Sequence, residues 1–140
     1  MEIAKQDPQI VTVGHSCPMW VPLVEYGEGS RPGADYFVKQ EIDTLIDADS
    51  EIDTVILACT HYPILLPKIK QFLPEEKKIL CQGGIVADSL ADYLLRHPEM
   101  ERRLSKGGIT EFRTTENAER FSSMASLFLH TSVHASTVTF

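Results

Sequence analysis

The sequence predicts an α/β fold in which a largely parallel sheet is built from strand-helix units. Two observations support this prediction. Short runs of aliphatic and β-branched residues alternate along the chain with longer amphipathic segments that have helical spacing. Turns rich in glycine and proline separate the two kinds of segment. Strands that alternate with helices are typical of parallel sheets, because each helix carries the chain back to the edge where the next strand begins.

The first third of the chain is predicted to form a strand, a loop, a helix and a second strand. Residues 10–13 are a short β-branched run that Gly14 ends, and residues 27–33 have the composition of a loop. Residues 35–48 carry apolar side chains on one helical face. Residues 52–58 are almost wholly apolar, which is typical of a strand covered on both faces. The apolar positions of the helix are Phe37, Val38, Ile42, Leu45 and Ile46.

A further strand and two further helices are predicted after this point. A helix over residues 64–73 accommodates Pro63 and Pro67 only in its first turn, where the backbone N–H groups have no partner to lose. A short strand is predicted at residues 79–81, and a helix at residues 85–97. We expect that helix to turn an apolar face inward, formed by Val86, Leu90, Tyr93 and Leu94.

The last part of the chain repeats the scheme. Residues 109–113 are predicted to form a strand, and Thr115 is the expected N-cap of a helix over residues 116–129. A strand rich in valine and threonine is predicted at residues 134–140. The apolar stripe of the helix consists of Phe121, Met124, Ala125 and Phe128.

Composition limits the class of function. The 140 residues carry a formal net charge of -7, with 20 acidic and 13 basic side chains. Because the basic residues are scattered, no stripe exists that would neutralise a phosphate backbone or an anionic membrane, and we expect neither nucleic acid nor membrane partners. The three cysteines lie far apart without a CxxC pair, which favours free thiols in a reducing compartment. We therefore expect a cytoplasmic protein.

One motif at a predicted strand end contains side chains that could take part in catalysis. Cys59, Thr60 and His61 stand where the buried strand gives way to a helix, which is where ligands bind in α/β sheets. The positive end of that helix would favour a thiolate, and in an extended backbone residues 59 and 61 would project to the same side. Alternatively, the cysteine is a small core residue and the histidine a satisfied polar group. The pair is too small a set for zinc, so no metal site is predicted.

Three stretches resemble a known family. The stretch LACTHYPILLP, residues 57–67, resembles the signature around the second catalytic cysteine of glutamate racemases, which belong to the cofactor-independent aspartate/glutamate racemase superfamily. The stretch SCPMWVPLVEYG, residues 16–27, is similar to the segment these enzymes carry upstream of that cysteine. The ending FRTTENAERF, residues 112–121, is similar to the family's strand before its final helix. The three stretches are spread along the chain, so the resemblance covers nearly the whole of it.

The resemblance implies a two-base racemisation of glutamate that uses no cofactor. One thiolate removes the α-proton, and a second thiol on the opposite face returns a proton. On this interpretation Cys59 is one base, His61 assists it, Thr60 contacts the substrate, and Glu25 is the family's acidic residue near the same site. The full-length enzyme would be a homodimer that supplies D-glutamate for peptidoglycan.

The departures from the family indicate an incomplete two-lobed racemase fold. Residues 1–8 match neither the family's Asp-Ser-Gly turn nor its segment with the first catalytic cysteine. Residues 1–78 are expected to be the later part of the second lobe, and residues 79–140 to return to the first. Cys17 is interpreted as a packing thiol and Cys81 as a lineage difference. The chain is therefore predicted to be a C-terminal portion that is inactive, or nearly so, by itself.

Other functions stay open on the sequence alone. An aspartate racemase, a hydantoin racemase or a single-cysteine decarboxylase would be the nearest enzymes, although the run His61-Tyr62-Pro63 favours glutamate racemase. From a different class, the chain would be a noncatalytic interaction module that retains an inherited crevice. The reactivity of Cys59 distinguishes the two classes, because a module has no need of an activated thiol.

Overall fold

The computed structural model describes residues 2–139, apart from the side chains of residues 2 and 4. The chain divides into two compact units, which we call unit 1 (Met1–Cys81) and unit 2 (Gln82–Phe140). Each unit holds a two-stranded parallel sheet with helices, so the predicted α/β class with parallel pairing is confirmed. Within the described residues, no helix is both long and apolar enough to cross a membrane.

Unit 1 is built around one strand pair. Its helices are α1 (Glu2–Gln6), α2 (Trp20–Glu25), α3 (Gly33–Ala48) and α4 (Leu66–Phe72), with a 3₁₀ helix at Tyr62–Leu65, and its strands are β1 (Thr54–Leu57) and β2 (Lys78–Cys81). The strands run parallel, with Thr54 opposite Lys78 and Leu57 opposite Cys81. The prolines at positions 63 and 67 fall in the first turns of the 3₁₀ helix and α4, as predicted.

The core of unit 1 lies where α3 packs against α4 and where α2 meets the 3₁₀ helix. Helix α3 buries Ala34, Val38 and Ile42, which recur every four residues and so share one face. Ile69 of α4 is also fully buried. The predicted apolar face of α3 is confirmed. Its remaining members, Phe37, Leu45 and Ile46, are half-buried.

Two strand predictions in unit 1 need correction. Residues 10–16 form no regular secondary structure, because side chains such as Val11 are exposed and no strand of the described chain pairs with them. A β-branched run supplies only a preference for extended backbone, and a strand also needs a hydrogen-bonded neighbour. The strand at residues 52–58 is shorter than predicted, and it is covered on one face only, since Val55 and Leu57 are buried while Ile56 is exposed.

Unit 2 repeats the alternation of helices and strands. Its helices are α5 (Gln82–Arg96), α6 (Pro98–Glu101) and α7 (Ala118–Leu129), and its strands are β3 (Phe112–Thr114) and β4 (Ala135–Thr137), which pair in parallel. The predicted N-cap Thr115 is wrong. Asn117 caps α7 instead, because its side-chain oxygen accepts a hydrogen bond of 2.8 Å from the Arg120 N–H. Of the strand predicted at residues 134–140, only residues 135–137 form β4, and Phe140 lies outside the described residues.

The predicted inward face of α5 is also wrong. Val86 and Leu90 are 61% and 55% exposed, Tyr93 is exposed as well, and Leu94 is only half-buried. In the described part of unit 2, Val133 is the single fully buried apolar side chain. The stripe on α7 is half-buried apart from Phe121, which is exposed. Helical periodicity therefore predicts an apolar face correctly, but it does not supply the surface that covers that face.

Candidate active site

The candidate site begins where the chain leaves β1. Residues 58–61 turn out of the strand, and His61 caps the 3₁₀ helix with helical backbone angles of φ −79° and ψ −30°. The Tyr62 N–H donates to the Cys59 carbonyl at 3.2 Å, which closes the turn. The prediction that residues 59 and 61 share a side because the backbone is extended is wrong in its reason. A turn, not a strand, brings their side chains together.

Three side chains lie in series at this turn. The Cys59 Sγ is 3.8 Å from the His61 Nδ1, and the His61 Nε2 is 2.7 Å from the Glu25 Oε1. We call Cys59, His61 and Glu25 the contact chain. The imidazole uses both of its ring nitrogens, so it holds the thiol on one side and the carboxylate on the other. This is the arrangement in which a carboxylate orients a histidine that serves a thiol.

Helix α2 positions Glu25, the last residue of that helix. Gly27 follows in the left-handed conformation, with φ 69°. Its N–H donates to the Val24 carbonyl at 3.0 Å, and the Glu28 N–H donates to the Leu23 carbonyl at 2.8 Å. These two bonds form a Schellman motif, which ends the helix at a fixed point and which glycine permits without strain.

An aromatic contact anchors α2 to the turn after β1. The ring of Trp20 meets that of Tyr62 edge-on, with centroids 4.9 Å apart, and the Trp20 indole is buried. Such pairs contribute about 0.5–1.5 kcal/mol beyond the area they bury. Trp20 begins the helix that ends at Glu25, and Tyr62 follows His61 directly. This contact therefore helps to hold the Glu25 carboxylate beside the His61 imidazole.

The contact chain activates the thiol. The backbone N–H of His61 lowers the pKa of Cys59 most, and the His61 side chain lowers it further, against an opposing effect of burial. The pKa of His61 is raised, first by the hydrogen bond to Glu25 and then by the contact with Cys59. Both shifts favour the same charge state, in which a thiolate faces an imidazolium. Cys59 is half-buried and therefore remains accessible to a small molecule.

The other predicted site residues and thiols differ from Cys59 in their surroundings. Thr60 is exposed beside Cys59, in the turn itself. Cys17 is buried, and burial raises the pKa of its thiol to about 11. Cys81 is half-buried at the end of β2, opposite Leu57. Cys17 thus has the environment of the packing thiol that the sequence suggested.

Two residues near the site were not singled out from the sequence. The His15 Nε2 lies 2.6 Å from the Glu41 Oε2, and the Cys17 thiol completes a group whose donor atoms all lie within 4.8 Å of one another. We call His15, Cys17 and Glu41 the His15 cluster. The His-x-Cys spacing was visible in the sequence. The contribution of Glu41 was not, because it is 26 residues away along the chain and reaches the group only through the packing of α3.

Comparison with known proteins gives one consistent result. The chain is 40% identical to a glutamate racemase of Ruegeria sp. (strain TM1040) over 102 residues, which are 73% of this chain and 36% of that protein. It is 32% identical to the glutamate racemase of Shouchella clausii over 138 residues, which are 99% of this chain and 48% of that protein. No protein-family model matches it.

Solved structures agree with the sequence comparison. The glutamate racemase of Francisella tularensis, solved in complex with D-glutamate, has a TM-score of 0.82 and 25% identity, over 99% of this chain and 51% of that chain. The chain thus spans about half the length, or less, of the relatives it matches, which agrees with the prediction that it corresponds to a portion of the enzyme. By sequence and by fold, the chain corresponds to about half of a glutamate racemase.

Proposed function

We propose that this chain is part of a cofactor-independent glutamate racemase in which Cys59 is one of two thiol bases. The observation that carries the proposal is the contact chain at the carboxyl end of β1, in a chain that is similar to glutamate racemases. The similar structure from Francisella tularensis holds D-glutamate, which supports glutamate as the substrate. We further propose that the complete enzyme is a cytoplasmic homodimer that supplies D-glutamate for peptidoglycan.

In the proposed reaction the bond between the α-carbon and its hydrogen breaks. The proton passes to the Cys59 Sγ, and the electron pair stays on the α-carbon, which a thiol on the opposite face then protonates. The lowered pKa of Cys59 supplies the thiolate that this step requires. His61 acts through Cys59 by stabilising the thiolate, and Glu25 acts through His61 by keeping the imidazole protonated and oriented. The hydroxyl of Thr60 is assigned to the substrate.

The second thiol is proposed to come from outside this chain. Cys17 is buried and its pKa is raised to about 11, which is the wrong direction for a base. Cys81 ends β2 opposite Leu57, and its thiol is not part of the contact chain. We also propose that residues 1–78 belong to one lobe of the enzyme and that residues 79–140 return to the other. On this proposal the isolated chain removes an α-proton without delivering one to the opposite face.

Exchange of the α-proton with solvent tests this proposal. The chain is incubated in D₂O with L-glutamate and, separately, with D-glutamate, while proton NMR follows loss of the α-proton and polarimetry follows inversion. We expect slow exchange from one enantiomer without inversion. Cys59→Ser should abolish the exchange, and the matched variant Cys81→Ser should retain it.

Three results would contradict parts of the proposal. Rapid inversion by the isolated chain would show that both bases lie within it. Exchange that survives in Cys59→Ser would remove Cys59 from the mechanism. Absence of exchange, together with alkylation of Cys59 that is no faster than that of a free thiol and insensitive to glutamate, would favour the noncatalytic module.

A further inference from the structure

The His15 cluster shares no residue with the contact chain and has no role in the proposed racemisation. Its three side chains come from two segments, since His15 and Cys17 belong to the irregular stretch before α2 and Glu41 to α3. The side chains of His15 and Glu41 are only 23% and 14% exposed, and Cys17 is 8% exposed. An imidazole, a thiol and a carboxylate thus converge in a largely buried place.

We propose that His15, Cys17 and Glu41 bind one Zn²⁺ ion. Imidazole nitrogen, thiolate sulfur and carboxylate oxygen are the three kinds of ligand that Zn²⁺ takes in proteins. In a tetrahedral site with ordinary zinc bond lengths, such donor atoms are about 3.3–3.7 Å apart. In the His15 cluster the donors lie within 4.8 Å of one another, and the closest measured pair is 2.6 Å apart. Rotamer adjustments of about an ångström would therefore reach a zinc geometry.

The contact chain contains the same three residue types but does not suit a single ion. Its imidazole lies between the thiol and the carboxylate, with one ring nitrogen toward each. The sulfur and the carboxylate oxygen are therefore on opposite sides of the ring, and no point is within bonding distance of all three. Among the described residues, the His15 cluster is the group of three whose donors converge. The proposal departs from the sequence prediction of no metal site, which weighed only the pair Cys59 and His61.

Zinc binding would have a structural consequence for unit 1. On binding, the Cys17 thiol gives its proton to solvent and the sulfur bonds to the metal. His15 and Cys17 would then be tied to Glu41, so a segment without secondary structure would be fixed to α3. Three protein ligands leave a fourth position for water or an outside ligand. An ion that binds only the folded chain also raises its melting temperature.

Cobalt is the probe for this site, because thiolate bonded to Co²⁺ gives a charge-transfer absorption band that Zn²⁺ removes on displacement. The full chain, with no affinity tag, is stripped with a chelator and titrated with Co²⁺ and then Zn²⁺. We expect one equivalent to bind and Zn²⁺ to raise the melting temperature. Cys17→Ser should lose the band, and Glu41→Gln should weaken binding by at least about tenfold. The matched variants of the contact chain, Cys59→Ser and Glu25→Gln, should bind as the wild type does.

Two outcomes would overturn the proposal. One is the absence of saturable binding in the wild-type chain. The other is a band that persists in Cys17→Ser and disappears in Cys59→Ser, which would place the thiolate ligand at the contact chain. Circular dichroism verifies that each variant is folded. If Cys17→Ser does not fold, the Glu41→Gln variant tests the site instead, because this substitution replaces a ligand without creating a cavity. Unchanged affinity of that variant for Co²⁺ would reject the site.

Discussion

Unit 1 contains two groups of cysteine, histidine and glutamate, and they differ in arrangement rather than in composition. In the contact chain the histidine stands in the middle, so thiol, imidazole and carboxylate follow one another in a line. In the His15 cluster the three donors face a common point, and the histidine contacts the glutamate while the thiol lies close by. In a line of donors the carboxylate stabilises the imidazolium, which in turn stabilises the thiolate, whereas a convergent group suits a shared ion.

The surroundings of the two thiols strengthen this contrast. The pKa of Cys59 is lowered because backbone N–H groups and an imidazole stabilise its thiolate. The pKa of Cys17 is raised to about 11, chiefly by burial and then by the negative charge of Glu41. Residue type alone therefore does not set the acidity of a cysteine in this molecule. The groups that touch its sulfur do.

The largest expected effect is a difference in alkylation between the two thiols of the wild-type chain. Burial raises the pKa of Cys17 from 9.0 to about 11, whereas the His61 backbone N–H lowers the pKa of Cys59. Two pKa units correspond to a hundredfold difference in the thiolate fraction. The lower nucleophilicity of the more acidic thiol partly offsets it, which leaves a ratio of alkylation rates of about tenfold. Burial of Cys17 increases the ratio further. Iodoacetamide labelling near neutral pH, quantified by mass spectrometry of peptides, measures both rates.

Unfolding the chain provides the control for this measurement. In denaturant both thiols lose their surroundings, so the two rates should become similar. Equal rates in the folded chain would mean that the contact chain does not activate Cys59, and the contrast between the two groups would then be one of geometry alone.

A smaller effect is expected from His61→Gln. The variant loses the imidazole but retains the backbone N–H at position 61, which is the largest cause of the lowered Cys59 pKa. We therefore expect the pH midpoint of Cys59 alkylation to rise and alkylation near neutral pH to slow by about threefold. A rate profile against pH measures the midpoint. The control is His97→Gln, because His97 pairs with Glu99 in unit 2. An unchanged midpoint in His61→Gln would remove the imidazole from the activation.

The motif that carries the chemistry was predictable from the sequence, and its partners only in part. Cys59, Thr60 and His61 are adjacent, so their position after an apolar run is enough to indicate a site. Glu25 came from resemblance to a family, since its contact with His61 spans 36 residues. Glu41 had no signal in the sequence. An ordinary acidic residue on an amphipathic helix becomes a candidate ligand only when that helix packs beside His15.

The fold was predictable to a similar extent. Helices α3, α5 and α7 were found because apolar periodicity is a local property, and their boundaries differ by only a few residues from those predicted. Whether an apolar face is buried is not local. The face of α3 meets α4 in unit 1, whereas Val86 and Leu90 of α5 remain exposed. The strand predicted at residues 10–13 failed for the same reason, because a strand depends on a partner elsewhere in the chain.

The smallest expected effect is on stability, through Glu25→Gln. Glu25 raises the folded-state pKa of His61, so the pair stabilises the folded chain fully below the pKa of an unfolded histidine, about 6.5. This contribution is lost as the pH rises through the raised folded-state value. Because the Glu25 side chain is 39% exposed, we expect a loss in Glu25→Gln of only about 0.5 kcal/mol at mildly acidic pH, and less at mildly alkaline pH. Urea unfolding at both pH values measures the two differences.

Glu28→Gln is the control, since Glu28 pairs with Arg31, which does not titrate in this range. A loss that is constant or grows with pH would mean that the carboxylate does not act on the imidazole, and the contact chain would then end at His61.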